Sequence, residues 1–446
     1  MNGVQLTTSQ RSTQLLPDED LFNIFSYLHF RDLIRCVPVN KQWLAVARDL
    51  THREPNPRLT KIVYDIGLKT SFDSLDPFQK AILEKSQSLD LSEKIKYECL
   101  LGLPTTVPPS QKVDSEKLAT LKALPNLKKL NLKNSRIIGE ALQHLHGLPI
   151  TSLDLGWCEF SNLKPLESHP TLKELDLTSA YIDDFKNLCG RSIETLNLCS
   201  HNISGEALSQ IIMNFPKLTT LHLANCRNSH LYFDENLLGL KGASIKTLNL
   251  SCCDISNNSL KNLQGLALER LVLNGCDRID DVGIQNLHGL PLTSLDISFC
   301  KKITDQGLKC LQYFERLSDL CLNACEGITD DGFLNLTGLP IKTLSLKWCF
   351  QLSDQALNNC RGLPLETLNI FACERITDAG LKYLVGQSIK KLDVRRCRRV
   401  TLKGIGYLQK HSRTLIRVRS YRISERHEFS SIPNLKFQQN NPTDIH

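Results

Sequence analysis

The stretch Leu292-Thr293-Ser294-Leu295-Asp296-Ile297-Ser298-Phe299-Cys300-Lys301-Lys302-Ile303-Thr304-Asp305-Gln306-Gly307-Leu308-Lys309-Cys310-Leu311 holds two patterns in succession. Leu295 and Ile297 stand two apart, so on a strand they share one face, and that face is buried. Thr304 then precedes Leu308 and Leu311, whose spacing forms the inner stripe of a short helix. A Thr at that point caps the helix, because its oxygen accepts a bond from an unpaired amide of the first turn. One short strand and one short helix cannot bury their apolar faces alone. Such a unit is stable only when copies of it stack.

The copies are present. The middle leucine of the Leu-x-x-Leu-x-Leu-x-x-Cys pattern recurs at Leu130, Leu153, Leu175, Leu196, Leu221, Leu248, Leu271, Leu295, Leu320, Leu344, Leu368 and Leu392, with a degenerate thirteenth expected at Leu415. A period of about 24 residues lies in the range of solenoid repeats. Helix caps are expected at Asp183, Ser204, Ser256, Asp280, Thr304, Thr329, Ser353, Thr377 and Thr401. Glycines in Gly-Leu-Pro, at Gly147, Gly289, Gly338 and Gly362, are expected to end helices in the left-handed conformation. Cys fills the ninth position in nine repeats: Cys158, Cys226, Cys253, Cys276, Cys300, Cys325, Cys349, Cys373 and Cys397. One Cys per repeat, without Cys-x-x-Cys clusters, reads as a small hydrophobe in the turn after the strand and not as a metal or redox site. The positions between the inward leucines, such as Asp154, Asp176, His222, Asp296, Ser345, Asn369 and Asp393, form a polar column expected to face solvent.

These features predict an α/β fold, a stack with one parallel sheet and the helices outside it. Helices are wider than the strand spacing, so the sheet takes the concave side of a horseshoe. The phrase Cys300-Lys301-Lys302-Ile303-Thr304-Asp305-Gln306-Gly307-Leu308, with related phrases at Cys276, Cys325, Cys349 and Cys373, resembles the cysteine-containing leucine-rich-repeat class. The resemblance covers residues 115–420. That class is common in F-box proteins.

Residues 15–49 depart from the repeat grammar. Pro17 and the acidic Asp18, Glu19 and Asp20 suit the first turn of a helix. Leu21, Ile24, Phe25 and Leu28 follow at helical spacing, Arg31-Asp32-Leu33-Ile34 opens a second helix, and a third reaches Trp43. So short a segment has too little core to stand alone, so it either caps the repeats or offers apolar surface to a partner. It resembles an F-box: Leu16-Pro17 matches the family's opening, Ile24 and Leu28 its first helix, Asp32-Leu33 its second, and Val39 and Trp43 its end. Pro38 departs from the family by interrupting a helix. The resemblance implies that Leu16, Pro17, Leu21, Ile24, Phe25, Leu28, Leu33, Val39 and Trp43 bind the adaptor that joins F-box proteins to cullin and RING subunits. Residues 1–14 are expected to be disordered, 50–114 a helical connector and N-terminal cap, and 421–446 a C-terminal tail.

Composition narrows the function. With 41% hydrophobic and 23% charged residues the chain is ordinary for a globular protein. No apolar run is long enough to span a membrane, and Met1 to Gln14 lacks the core of a secretory signal. Seventeen cysteines without such a signal point to a reducing compartment, the cytoplasm or nucleus. The net charge of +7 is uneven: Lys382 to Arg426 holds fourteen Lys or Arg against Asp393 and Glu425, so the rest is near −5.

No phosphate loop, HExxH, GxSxG or metal-spaced Cys/His set occurs, and no cofactor is implied. The chain reads as non-catalytic. Large rings near the strand ends, Trp157, Phe299, Trp348 and Phe371, are candidate anchors for a protein substrate. Arg395 and Arg396 are candidate contacts for an acidic or phosphorylated segment. Nucleic acid is disfavoured, since no recognised module accompanies the basic run. The reading is a substrate receptor of an SCF-type ubiquitin ligase. A non-catalytic scaffold or inhibitor is the alternative. The uniform repeats also resemble those of F-box effectors that intracellular bacteria deliver into host cytosol.

Overall fold

The computed structural model describes residues 73, 75, 80, 83–84, 86–91, 111–138, 140–160, 163–182, 185, 188–226, 236–410, 416–419 and 435–437. The F-box-like segment, with its nine expected adaptor residues, lies outside them, as do Asp183 and Leu415. Two compact units divide the chain, residues 1–153 and 154–446.

In the first unit, strand Ser88–Asp90 pairs in parallel with Lys129–Asn131, setting Leu89 against Leu130. Gln111–Val113 pairs in parallel with Ser135–Ile137. Helix Ser115–Ala119 is capped by Asp114, whose side chain accepts the Lys117 amide. Leu118, Leu121, Leu124, Leu127 and Leu132 are fully buried. Residues 50–114, expected to be helical, thus also supply a strand of repeat type, Ser88-Leu89-Asp90.

The second unit is the expected repeat solenoid. Its short strands, of three residues each apart from the four of Ile416–Arg419, run from Glu174–Asp176 to Leu435–Phe437, each hydrogen-bonded in parallel to the next. The register aligns Leu175, Leu196, Leu221, Leu248, Leu271, Leu295, Leu320, Leu344, Leu368 and Leu392 in one buried column. The thirteenth repeat needs correction. Val418 pairs with Leu392, within strand Ile416–Arg419, so the degenerate position is Val418 rather than Leu415. The expected tail likewise contains a strand, Leu435–Phe437, which places Phe437 opposite Val418.

Asx turns keep the strands short. The side chains of Asp176, Asn197, Asn249, Asp296, Asn369 and Asp393 each accept the amide two residues on, which leads the chain out of the sheet. The polar column is therefore half-buried and structural, and not the freely solvated row the sequence suggested. Ser345 and Asp393 are buried outright.

The expected caps form at Ser204, Ser256, Asp280, Thr304, Thr329, Ser353, Thr377 and Thr401. Among the described residues, three of the outer segments of this unit are wound as 3-10 rather than α-helix along their whole length, Lys164–Leu166, Leu237–Leu240 and Asp330–Leu336. Gly147, Gly289 and Gly338 adopt the expected left-handed conformation, but Gly362 does not.

Two ladders tie the repeats together. In the first, the Asp after each cap accepts the amide and the hydroxyl of the next repeat's cap residue. Asp281 receives Thr304, Asp305 receives Thr329, Asp330 receives Ser353, Asp354 receives Thr377 and Asp378 receives Thr401. These carboxylates sit where the next repeat's third helical residue would carry a Cβ, within 2.6 Å at Gly307, Gly332, Gly380 and Gly404. All four glycines follow an α-helical segment. Ser259 and Ala356 stand at the same point after the last two 3-10 segments, Leu237–Leu240 and Asp330–Leu336.

In the second ladder, the thiols of column cysteines from Cys276 onward donate to a carbonyl of the preceding repeat. Cys276 reaches Leu250, Cys300 reaches Leu273, Cys325 reaches Ile297, Cys349 reaches Leu322, Cys373 reaches Leu346 and Cys397 reaches Ile370, at 2.8 to 3.2 Å. The Leu273 carbonyl already accepts the Cys276 amide, so the thiol of Cys300 occupies its second lone pair. Cysteine is thus both a small hydrophobe and a donor here.

Candidate binding surface

The chain leaves each repeat strand from Lys129–Asn131 to Lys391–Asp393 through a turn that puts one residue at positive φ just before the column position. Most repeats fill this position with Asn, Ser, Ala or Gly: Asn134, Ser179, Ser200, Asn225, Gly275, Ala324 and Ala372. Cys252 fills it once, with φ of 56°, and Trp157, Phe299, Trp348 and Arg396 occupy it too, with φ of 59, 60, 57 and 62°. A large side chain is disfavoured in this region because its Cβ crowds the backbone. The turn then projects that side chain from the end of the strand.

Phe299, Trp348 and Phe371 meet. The ring centroids of Phe299 and Trp348 are 5.9 Å apart, and those of Trp348 and Phe371 are 5.4 Å apart, edge to face. Contact across an intervening repeat is allowed because Ala324 stands between Phe299 and Trp348. Phe299 is exposed and Trp348 half-buried. Phe371, expected as an exposed ring, is 9% exposed. It is covered by two guanidinium groups, Arg395 and Arg396, each 5.3 Å from its centroid. Trp157 is exposed in the equivalent turn of a much earlier repeat. Phe350, exposed beside Trp348, was not singled out in the sequence because it falls outside the repeated pattern.

The two arginines separate. Arg396 is exposed. Arg395, expected at the surface, is 5% exposed and faces Asp393, with Nε donating to Oδ1 at 3.0 Å and Nη2 to Oδ2 at 2.7 Å. Two parallel bonds of this kind fix a planar geometry. Its charge is therefore spent within the chain, holding one face of Phe371. The sequence spacing Asp-x-Arg offered a hint, since residues two apart on a strand share a face, but burial of the pair depended on Phe371 in the repeat before.

Strand register reveals a second group. Lys391 pairs with Arg417, and Arg417 with Lys436, so three basic residues occupy successive register positions across the last three strands. Asp393 pairs with Arg419. The alternation Arg417-Val418-Arg419 was the sequence signal for this strand. Elsewhere on the sheet, burial pushes the Cys321 thiol up to about 12 and Cys199 to about 11. It also holds His222 below the ordinary histidine value, partly offset by Asp176. Among the described residues no group of His, Cys, Asp or Glu is arranged to hold a metal, and no helix is long and apolar enough to cross a membrane.

Comparison with known families finds an F-box-like match at residues 13–55 and Leucine Rich repeat matches at residues 243–263, 291–311 and 364–385. A comparison with curated proteins finds no match. Among solved structures, an internalin from Listeria monocytogenes is 20% identical, with 81% of this chain and 96% of that one covered and a TM-score of 0.43. A yeast structure of a Rad7 and Elc1 complex is 17% identical, with 97% and 99% covered and a TM-score of 0.45. A TLR13 complex with single-stranded RNA is 17% identical, with 82% and 61% covered and a TM-score of 0.46.

Proposed function

We propose that this chain, an F-box-like segment followed by leucine-rich repeats, is the substrate-recognition subunit of an SCF-type ubiquitin ligase. The observation that carries the proposal is the F-box-like match at residues 13–55 on the same chain as the repeats. In this reading Leu16, Pro17, Leu21, Ile24, Phe25, Leu28, Leu33, Val39 and Trp43 dock on the adaptor, and through it the chain joins cullin and RING subunits. The repeats hold a protein target, and a partner enzyme transfers ubiquitin to it. The chain contributes proximity, since holding two reactants together supplies much of a rate gain. A reducing compartment, the cytoplasm or nucleus, fits the thiol ladder, because each rung needs an S–H to donate.

The test is capture of purified adaptor by the full chain. The unaltered protein is expected to retain the adaptor, and Leu16→Asp, Ile24→Asp and Leu28→Asp together are expected to abolish retention while the circular dichroism of the repeats is unchanged. An unaltered chain that captures no adaptor overturns the proposal in favour of a repeat scaffold.

A further inference from the structure

We infer that the turns around Phe299, Trp348 and Arg396, with the basic register column of the last strands, form the docking surface for a segment rich in Asp and Glu on a partner protein. The inference rests on the receptor reading above and names the class of target it would take.

Three observations converge on this end of the second unit. The first is strain. Phe299, Trp348 and Arg396 take left-handed backbone that Asn134, Asn225 and Gly275 fill comfortably elsewhere. Large side chains in this conformation lower stability, and such residues concentrate where a surface binds something. The second is order. The rings touch one another, and Phe371 beneath is clamped between Trp348, Arg395 and Arg396. The buried Arg395–Asp393 pair holds this arrangement in place. Rigid aromatic anchors of this kind lose little entropy on binding.

The third is charge. On the last strands, Lys391, Arg417 and Lys436 share a register column at the strand spacing of about 4.8 Å, and Lys391, Arg396, Arg398 and Arg399 are exposed. The one acidic residue among the paired positions of strand Lys391–Asp393, Asp393, is already neutralised by Arg395. Exposed lysine and arginine side chains attract an anionic chain, while the rings beside Arg396 provide an apolar foothold. The occupant that matches both is an acidic segment carrying an aromatic or apolar residue.

The test uses the full chain, with fluorescence anisotropy of a labelled glutamate-rich peptide containing one central phenylalanine. Its glutamine counterpart, a phosphoserine peptide and a single-stranded RNA of similar length serve as comparisons. The glutamate-rich peptide is expected to bind, with affinity falling as salt rises, and the glutamine counterpart to bind at least about tenfold more weakly, a loss of 1.4 kcal/mol. Phe299→Asn with Trp348→Asn, and separately Lys391→Glu with Arg396→Glu, are each expected to weaken binding about tenfold or more.

The asparagine changes guard against misfolding, because Asn suits the left-handed position and is expected to keep or raise the melting temperature. Equal binding of the glutamine peptide, unchanged affinity in both variants, or tighter binding of RNA or only of the phosphopeptide overturns the inference. Adaptor capture by the same variants keeps the two readings apart. The surface variants are expected to retain adaptor, and the Leu16, Ile24 and Leu28 variant is expected to retain the peptide.

Discussion

Replacing Asp354 with Ala is expected to loosen the repeats on both sides of it, by an amount that the ladder itself sets. Its carboxylate accepts the Thr377 amide at 2.7 Å and the Thr377 hydroxyl at 2.6 Å. A hydrogen bond to a charged group contributes roughly 1.5–3 kcal/mol, less where water reaches it, so the loss of both is expected to cost about 2–4 kcal/mol. Asp354→Asn is expected to cost about 1 kcal/mol, because an amide can accept the N–H and donate to the hydroxyl. The chain already uses that substitute: Asn257 accepts the Asp280 amide and donates to its side chain.

Gly380→Ala alone is expected to match the cost of Asp354→Ala, since its Cβ would lie within 3 Å of the Asp354 carboxylate and displace it. The double variant Asp354→Ala with Gly380→Ala then costs little more than either, which gives a coupling of about 2–3 kcal/mol. Urea unfolding of the four proteins measures the cycle, and hydrogen exchange at the Thr377 amide localises it. Costs that add to within about 0.5 kcal/mol would refute the ladder as the reason for the recurring Gly.

Removing the Cys300 thiol with Cys300→Ala is expected to cost about 1–2 kcal/mol in urea unfolding, through a lost S–H bond to Leu273 and a small cavity. Burial raises the thiols of Cys300, Cys321, Cys360 and Cys397 to about 12 and that of Cys349 to about 11, from an ordinary 9.0. The unfolded chain therefore loses these protons first. Stability is fully present below pH 9 and is expected to fall between about pH 9 and 12, which denaturation at stepped pH reads directly. Asp393→Ala is expected to cost about 3–5 kcal/mol by leaving the Arg395 charge buried without its carboxylate, seen as a lowered melting temperature that Asp393→Ala with Arg395→Met largely restores. Trp157→Asn is expected to raise stability by about 1 kcal/mol, by relieving its left-handed backbone. A destabilised variant would show instead that the exposed ring packs.

The period, the strand and helix faces and the capping residues are legible in local spacing alone: Leu295 and Ile297 two apart, Thr304 ahead of Leu308. The sequence also carried the F-box resemblance at Leu16-Pro17 and the grouping of Phe299, Trp348 and Phe371 in nearby repeats. Tertiary structure decided what depends on the neighbouring repeat. Cys300 became a donor because the Leu273 carbonyl of the repeat before has a second lone pair facing it. Gly380 is required by a carboxylate lying 26 residues earlier in the chain. Arg395 left the surface because Asp393 and the ring of Phe371 offered it a paired, buried place, and Arg417 joined Lys391 because register set Val418, not Leu415, against Leu392. Distances between stacked repeats are fixed by packing, so no count along one repeat could supply them.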